Sequence, residues 1–476
     1  MRRLRRSYRE RAQYPNLSAN CHRMAGVPPF LHSFCGVRSR LVFRMWASAL
    51  CAHSRKPMKR ISSRIVTPSL IAAAVASLVA ASAVAQRVPP QPPPPPQPPA
   101  PAAQLPPAPL ALQGFGAPLA GLNAAQLTAF NEGRAEFVAV ETPEGGLGPI
   151  FNGRSCVECH SAPAVGGGSA ILVTRFGRTV DGEFDPLESL GGSLLQRFSM
   201  VPAARETLPH EANTIAQRQS TPLFGLGLIE AIPDAAIYQL AVTTKPDGVK
   251  GRVGEITDIT TGLRRAGRFG WKAQQATLLA FSADAYLNEM GITNRFFPKE
   301  NAPNGNQELL ARFKRTSDPE DQVDPVTGKG DIDIVADYMR FLAAPPTLAR
   351  GASASAGESA FFQAGCQHCH TPTMQTGVTP VAALSRKTVA LYSDLLLHDM
   401  GSLGDGTAQA GATAREIKTP PLWGLRASAP YLHDGRATTI DAAIRAHDGE
   451  GSVARDRYVR MPQALRQNLI DFLGTL

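Results

Sequence analysis

The sequence predicts a mainly α-helical fold with long loops, divided into two domains of unequal length. Apolar residues recur at spacings of three and four along most of residues 113–476, whereas the alternating runs typical of strands are few. The same residues also follow one plan twice. Each copy has a Cys-x-x-Cys-His motif after aromatic residues, then a Thr-Pro-apolar-Gly-Leu segment, then a helix that ends in Phe-Leu. We therefore expect domains at 113–346 and 347–476.

The two closing helices are predicted over 334–342 and 465–473, where apolar residues dominate one face. Two prolines at 345 and 346 should end the first of them, because proline cannot continue a helix. Regular structure is expected to begin near Leu122.

The formal net charge of +10 is concentrated at the N-terminus. Residues 1–57 hold 12 of the 49 Lys and Arg residues and one of the 39 Asp and Glu residues, so the remainder is close to neutral. That balance argues against nucleic acid as a partner. Because this Arg-rich segment lacks apolar periodicity, we expect 1–57 to be a gene-model extension, with Met58 as the true start.

Residues 58–85 have the layout of a secretory signal peptide. Basic residues precede an apolar run over 70–80, and a small-residue site at 83–85 predicts cleavage before Gln86. A membrane anchor is the alternative, although the run is short for a spanning helix. The signal predicts a periplasmic or secreted protein. Residues 86–112 are rich in proline and are expected to form an extended tether without a core.

The motifs consist of Cys156, Cys159 and His160 in the first copy, and of Cys366, Cys369 and His370 in the second. Residues at i, i+3 and i+4 share one helical face, so two thiols can bond to the vinyl groups of a haem while the histidine ligates its iron. The other three cysteines lie within 1–57. The motifs therefore predict two cytochrome-c-like domains with one covalent haem c in each.

Such cysteine pairs also occur in three other kinds of site, namely structural zinc sites, thioredoxin-like redox pairs and disulfides. A structural zinc site would require the two pairs to converge from different domains, and would leave both trailing histidines unexplained. A thioredoxin-like redox pair is expected in a βαβ context, which the sequence lacks. Two disulfides across such short loops would stabilise the fold little.

Four segments, at 146–152, 392–401, 419–425 and 431–437, resemble the bacterial di-haem oxidoreductase family, whose members are often described as peroxidases. That family is related to di-haem cytochrome c peroxidases and to MauG. The resemblance covers roughly residues 115–476 and implies two haems, one reactive and one that stores electrons.

The resemblance also implies a sixth iron ligand for the C-terminal haem. In the relatives this ligand follows the histidine of a Tyr-x-His-x-Gly segment by about fourteen residues, and His447 stands at that distance from His433. We therefore expect His370 and His447 to ligate this iron, which would be closed to substrate. Met400 is the competing ligand, and a surface position for His447 is the plain alternative.

The N-terminal haem, with His160 as its proximal ligand, is expected to be reactive. The relatives carry a tryptophan between the haems and an acid over the open iron face, which correspond here to Trp271 and Glu289. The resemblance implies that Trp271 relays electrons and that Glu289 moves a proton between peroxide oxygens. The usual Gln and Pro are absent, with Phe281 and Ala285 near those positions. A core aromatic and a solvated helix carboxylate are the alternatives.

The sequence allows two interpretations for each of the remaining polar positions near the motifs. His398 and Asp399 could line a haem pocket, or His398 could be a hydrogen-bonded core residue. His433 and Arg436 are expected to bind haem propionates or to brace their loop, since a guanidinium matches carboxylate geometry. Related peroxidases bind calcium, and the sequence contains no compact Asp-rich loop that would predict such a site here.

The favoured function is a periplasmic, peroxidase-like di-haem oxidoreductase. Electrons from a small redox donor protein would enter at the C-terminal haem and reduce peroxide or a related small-molecule oxidant at the N-terminal haem. A non-catalytic electron carrier and a haem dioxygenase of the rubber-oxygenase type are the alternatives. The chain is shorter than expected for the latter, and Glu289 favours peroxide chemistry.

Overall fold

The computed structural model describes residues 112–313 and 322–476. Its α-helices are α1 (Ala124–Val138), α2 (Leu226–Glu230), α3 (Asp234–Val242), α4 (Leu278–Met290), α5 (Gln307–Phe313), α6 (Asp331–Phe341), α7 (Ala352–Ala364), α8 (Ile440–Arg445), α9 (Ser452–Arg460) and α10 (Gln463–Leu473). Its strands are β1 (Ile150–Phe151), β2 (Leu172–Val180), β3 (Glu183–Asp185), β4 (Leu194–Leu195), β5 (Phe198–Ser199), β6 (Thr214–Gln219), β7 (Glu255–Thr257), β8 (Arg264–Ala266), β9 (Met374–Gln375), β10 (Thr388–Val389), β11 (Leu397–Asp399) and β12 (Glu416–Lys418).

Helices α1, α4 and α6 pack together in the first half of the described chain. The side chain of Asn123 accepts the Gln126 backbone N–H and the Gln126 side chain accepts that of Asn123, which starts α1 with a capping box. Helix α6 buries an apolar stripe that includes Ile332, Val335 and Met339. The helix predicted over 334–342 is thus confirmed, although it begins three residues earlier and ends one residue earlier.

A sheet accompanies these helices. Strand β2 lies between β3 and β4 and also pairs with β6, and all of these pairings are antiparallel. In the register of β2 and β6, Thr174 stands opposite Gln217 and Arg175 opposite Ala216. This sheet lies in the chain between the first Cys-x-x-Cys-His motif and the first Thr-Pro segment.

The predicted mainly α fold of two cytochrome-c-like domains is therefore wrong in its class. The structure is 36% helical and 15% strand, and much of the remainder is loop. The prediction failed because β2 and β6 lack a clean alternation of apolar and polar residues. In β6 the buried positions Arg218 and Gln219 are polar, so a pattern of hydrophobicity could not reveal the strand.

The second half of the described chain is built around α7 and α10, which pack closely, with α9 beside them. Helix α10 buries Leu469, Phe472 and Leu473, and it confirms the helix predicted over 465–473. These residues belong to a core cluster together with Phe361 of α7.

The larger core cluster draws on both copies of the repeat. It contains Leu226 and Met339 from the first copy and Leu391 and Leu396 from the second. The boundary at 346–347 stays a prediction. The predicted extension, the signal peptide and all but the last residue of the tether lie outside the described residues. Within 112–313 and 322–476, none of the helices is both long enough and apolar enough to cross a bilayer.

Candidate functional site

The second Cys-x-x-Cys-His motif begins where α7 ends. Gly365 has a left-handed φ of 89°, which turns the chain directly into a 3₁₀ turn over Cys366–His368. The backbone N–H of His370 donates to Cys366 O at 2.9 Å, which places the histidine one turn below the first sulfur. The Nδ1 atom of His370 lies 3.0 Å from the backbone O of Tyr392.

That contact fixes the tautomer of His370. A carbonyl oxygen only accepts, so Nδ1 carries the proton and Nε2 keeps a free lone pair. Iron-ligating histidines are usually held by such a contact, because it orients the ring toward the metal. Desolvation lowers the pKa of His370 to about 4, so the imidazole is neutral at physiological pH.

His447 faces His370 across a cavity. It follows α8, and its Nδ1 atom donates to the backbone O of Ala443 at 2.8 Å, which leaves its Nε2 free as well. The two ring centroids lie 6.4 Å apart, with 60° between the ring planes. Two imidazole nitrogens bonded at about 2 Å to one metal place their ring centroids roughly 6 Å apart. The pair therefore fits the two sides of one haem iron.

The cavity between these rings is the larger of the two at the motifs, with a volume of about 270 Å³. It is lined by both cysteines of the motif, by His370 and His447, and by apolar side chains such as Leu469 and Leu473. Met400, the competing ligand, lines the same cavity. The choice between His447 and Met400 stays a prediction.

The first Cys-x-x-Cys-His motif repeats this construction. A 3₁₀ turn covers Cys156–Glu158, and the backbone N–H of His160 donates to Cys156 O at 3.0 Å. The Nδ1 atom of His160 donates to Gly167 O at 2.9 Å, so its Nε2 is also free. Desolvation lowers the pKa of His160, which keeps the imidazole neutral.

The motif opens on a second cavity, of about 170 Å³. Among the described residues that line it, His160 is the only histidine. Glu289, near the end of α4, lines the same cavity, and its role as an acid–base group stays a prediction. Asn152 holds it there: Asn152 Nδ2 donates to Glu289 Oε2 at 2.8 Å, and the Asn152 backbone N–H donates to Glu289 O at 2.7 Å.

Desolvation raises the pKa of Glu289 above its ordinary value of 4.5, against the opposing effects of Arg175 and Asn152. Asp284, also on α4, lines this cavity, and burial raises its pKa too. A carboxyl group whose pKa is raised toward neutrality can both give and take a proton near physiological pH.

Sequence reasoning missed three residues of this cavity: Asn152, Arg175 and Asp284. Asn152 and Asp284 were within reach of the sequence, since one precedes the motif by four residues and the other precedes Glu289 on the same helix. Arg175 carried no such signal, because it belongs to the sheet that was not predicted.

Trp271 lies in the walls of both cavities, as do Gln219 and Ser220. The Trp271 Nε1–H donates to Gln219 O at 2.8 Å, and the Gln219 N–H donates to His433 O at 2.7 Å. Ser220 Oγ donates to Cys159 O at 2.6 Å. A short path of hydrogen bonds and covalent bonds thus joins the first motif to the wall of the cavity at His370 and His447. Trp271 thus lies in a wall that both cavities share, and its relay role stays a prediction.

His398 is built differently from the histidines that face the cavities. It is 1% exposed, and its two ring nitrogens lie 2.7 Å from Glu450 Oε2 and 3.0 Å from Asp394 Oδ2. Burial opposes a charge on this ring, but the contacts to Asp394, Cys369 and Glu450 outweigh it and raise the pKa of His398 to about 12. Both nitrogens therefore carry protons, and neither can ligate iron.

The other predicted positions are spread over the surface and the cavity wall. His433 is buried, lines the C-terminal cavity and packs edge-on against Trp271, with 6.2 Å between the ring centroids. Arg436 is half-exposed and pairs with Asp434 at 2.5 Å, and it lines neither cavity. Asp399 pairs with Arg415 at 2.9 Å and also lines neither.

Among residues 112–313 and 322–476, no group of three or more His, Cys, Asp or Glu side chains is placed to hold a metal ion by itself. Instead, His160 stands alone and His370 faces His447, and each of these three histidines keeps Nε2 free in a cavity that also contains a pair of cysteines. This donor set fits iron whose remaining ligands come from a porphyrin.

Two such motifs on adjoining cavities define a protein that holds two redox cofactors close together. The chain belongs to the di-haem oxidoreductase family: the family model described as "Di-haem oxidoreductase, putative peroxidase" matches residues 200–476, more than half of the chain. Haem is accordingly its cofactor. The matched range includes Trp271, Glu289, His370 and His447, and it begins after the first motif.

Solved structures show only distant similarity. The hydrazine synthase of Kuenenia stuttgartiensis is 15% identical, covering 77% of this chain and 91% of its own, with a TM-score of 0.34. A MauG-like protein associated with microbial copper homeostasis is 17% identical over 58% and 94%, with a TM-score of 0.28. The diheme peroxidase of Burkholderia thailandensis is 14% identical over 73% and 86%, with a TM-score of 0.34. No curated protein matches significantly. The family assignment rests on the family model.

Proposed function

We propose that the protein is a peroxidase-like oxidoreductase with two covalently attached haems c, which takes in electrons at the His370–His447 site and reduces a peroxide at the His160 site. The observation that carries this proposal is the difference between the two cavities. One has two neutral histidines facing each other at 6.4 Å between ring centroids. The other has His160 alone and a desolvated acid, Glu289, in its wall.

The covalent attachment is supported by the four cysteines. Each motif brings its two sulfurs to the same cavity as its histidine. In the part of the chain that the structure describes, these four are the free cysteines, and none is joined in a disulfide. Both thiols of each pair are therefore available to form thioether bonds.

Haem iron, when bound, supplies the electrons that convert a peroxide to water. The protein residues have separate tasks. His160 is held by Gly167 so that its free nitrogen faces the cavity. Glu289 can take a proton from one peroxide oxygen and return it to the other, and Asn152 fixes the direction of its carboxyl group. Trp271 occupies the wall between the two cavities, where an aromatic ring can assist electron transfer.

The cellular setting is part of the same proposal. The signal predicted at 58–85 would export the chain to the periplasm or beyond. Covalent attachment suits that location, because an exported protein cannot recover a haem that dissociates. We propose that a small redox protein is the electron donor.

Spectra of the purified holoprotein test this proposal. We expect two haems per chain by mass, one low-spin and one high-spin ferric component, and turnover of hydrogen peroxide with a reduced donor. Two low-spin haems without reactivity toward peroxide or carbon monoxide would identify an electron carrier instead. A stable dioxygen adduct in the protein as isolated would indicate an oxygenase.

Paired cysteine variants provide the matched control. Replacement of Cys156 and Cys159 by Ala should remove the high-spin component and the peroxide turnover. Replacement of Cys366 and Cys369 by Ala should remove the low-spin component. A reversed result would overturn the assignment of roles to the two cavities.

A further inference from the structure

Arg175 lines the N-terminal cavity, and one hydrogen-bond donor of its guanidinium is used by no protein atom of the described residues. The residue lies on β2, in the middle of the sheet, and its side chain lines the cavity together with His160. Its Nη1 atom donates to Ser193 Oγ at 3.3 Å. Its Nε atom is buried without a hydrogen-bond partner. A buried donor of a charged group that lacks a partner is costly, so an acceptor beside this guanidinium would stabilise it, and the cavity is the space from which a ligand could supply one.

The other arginine that lines this cavity is Arg218, and its nitrogens are held differently. Arg218 bonds through Nε to Asp405 at 2.7 Å, through Nη1 to Gln409 at 2.5 Å and through Nη2 to Thr407 at 2.8 Å. Each of its three nitrogens therefore has a protein partner. Among the described residues that line the His160 cavity, Arg175 is the cation with a buried nitrogen that has no partner.

Two carboxyl groups share the cavity with Arg175 without pairing with it. Arg175 acts on Glu289 and Asp284 through its charge, yet within the described residues it forms no ion pair with either. The guanidinium and the two acids therefore leave space between them. A ligand in that space would meet a cationic side chain and two desolvated carboxyl groups.

We propose that Arg175 binds an oxygen atom of the small hydroperoxide that is reduced in this cavity, and that Glu289 exchanges a proton with the same molecule. This inference rests on the proposed function and adds a substrate-binding residue to it. In the reduction, H₂O₂ takes up two electrons and two protons, its O–O bond breaks and two water molecules form. The electrons come from the donor protein. Arg175 stabilises the negative charge that develops on the departing oxygen.

A carboxylate of the cofactor is the other source of an acceptor oxygen, and the charge balance argues against it. A haem propionate at Arg175 would place a third carboxylate near Glu289 and Asp284, beside a single unpaired guanidinium. Desolvation already disfavours the ionised forms of Glu289 and Asp284, and repulsion from a propionate would disfavour them further. A hydroperoxide is neutral when it enters and brings no such charge.

Azide is a suitable probe, because it is a small anion that binds open ferric haem and is followed in the Soret band. In the holoprotein, Arg175→Gln should weaken azide binding about tenfold or more and lower kcat/KM for hydrogen peroxide similarly, as expected for the loss of one charge-assisted hydrogen bond. Arg175→Lys keeps the charge but loses the Nε–H donor, so its azide affinity and its kcat/KM for hydrogen peroxide should lie between those of wild type and Arg175→Gln.

Arg178→Gln is the matched control. Arg178 lies on the same strand, half-exposed, and pairs with Asp185 at 3.2 Å outside the cavity. It should leave azide affinity and peroxide kinetics unchanged. An unchanged low-spin Soret component and unchanged circular dichroism would show that each variant has folded.

Three results would overturn the inference. Equal azide affinity and equal peroxide kinetics in wild type and Arg175→Gln would reject Arg175 as a binding residue. Unchanged affinity with a shifted midpoint potential of the high-spin haem would identify Arg175 as a propionate partner. Failure of the wild-type protein to bind azide at all would reject the open haem itself, and with it the proposed function.

Discussion

Four histidines that line the two cavities fall into two classes according to what their ring nitrogens contact. His160, His370 and His447 each donate from Nδ1 to a backbone carbonyl and keep Nε2 free. His398 contacts a carboxylate with each nitrogen and is protonated on both. The first arrangement prepares a neutral ligand for a metal, whereas the second holds a fixed positive charge.

The ligand assignment can be tested one residue at a time. His447→Ala should convert the C-terminal haem from low spin to high spin, because the iron loses its sixth ligand while His370 remains. Met400→Ala, in the same cavity, is the control and should leave the spectrum low-spin. Electronic absorption and electron paramagnetic resonance spectra report both. A change to high spin in Met400→Ala, with His447→Ala unaffected, would reverse the assignment.

Glu289→Gln should lower kcat for peroxide about 10²- to 10⁴-fold, the usual contribution of a general acid–base residue. The pH dependence follows from the direction of the shift. Desolvation raises the pKa of Glu289 above 4.5, so the carboxylate needed to take a proton forms only as pH rises through that raised value. Wild-type kcat/KM should therefore increase with pH over this range, and the variant should lose that limb.

The exposed Glu183, on β3, provides the control for this change. Glu183→Gln should retain both the rate and the pH profile. A Glu289→Gln variant that keeps wild-type kcat and the same rise with pH would show that this carboxyl group transfers no proton in the reaction.

At the scale of elements, α4 brings Glu289 to the cavity, and both of its ends are fixed by the sequence. Thr277 caps its start by accepting the Ala280 backbone N–H, and Leu278 N–H donates to Glu230 Oε1 at 2.7 Å. Gly291 ends it with a φ of 68°. Since Glu289 stands two residues before that end, the position of the acid depends on how the helix stops.

Gly291→Ala should therefore destabilise the protein beyond the ordinary cost of a left-handed alanine, which is about 1–2 kcal/mol. A Cβ at this position would lie 2.6 Å from the backbone O of Ile150, so the end of α4 would have to move. Gly182→Ala is the matched control, because Gly182 has a φ of 87° and no atom within 4 Å of its Cβ position. Urea unfolding should show the larger loss for Gly291→Ala, and equal losses would mean that the close approach is tolerated.

The sequence predicted elements best where one face is purely apolar. Helix α6 buries Ile332, Val335 and Met339, and this spacing was readable. It predicted least where the buried face serves a site. In β6 the inward positions include Arg218 and Gln219, which line the N-terminal cavity, and its partner β2 is distant in the chain. Because these strand positions line the cavity, they are polar, and the alternation of apolar and polar residues that would have indicated the strands is missing.

Across the whole molecule, the two copies of the sequence plan are joined by a buried ion cluster. Asp405 contacts Arg218 Nε at 2.7 Å and Lys272 Nζ at 3.0 Å, and all three side chains are almost fully buried. Lys272 Nζ also donates to Glu416 O at 2.6 Å. No periodicity in the sequence pointed to this cluster, because its members are far apart in the chain and each is polar. The Cys-x-x-Cys-His motifs could be recognised because their spacing is local.

Asp405→Asn should be strongly destabilising, because it leaves Arg218 and Lys272 as buried cations without their counter-charge. Removal of one partner from a buried ion pair costs about 3–5 kcal/mol. Asp399→Asn breaks the exposed pair with Arg415 and is the control, with an expected loss of about 0–1 kcal/mol. Urea unfolding of both holoproteins, followed by circular dichroism, measures the difference in the free energy of unfolding.

The loss in Asp405→Asn should shrink as pH rises, and the sign follows from Lys272. Desolvation lowers its pKa to about 8 in the folded protein even though Asp405 opposes the shift, so the folded state releases this proton more readily than the unfolded chain does. A buried amine whose pKa is lowered by folding destabilises the protein least when it is neutral. The stability lost at lower pH is therefore regained as pH rises above the pKa of Lys272 in the folded protein. Without Asp405 that pKa falls further, and the variant should lie closer to wild type at about pH 9 than at about pH 7. A difference that stays constant over this range would mean that Lys272 remains charged without its carboxylate, and that the backbone oxygens around Nζ suffice to hold the two halves together.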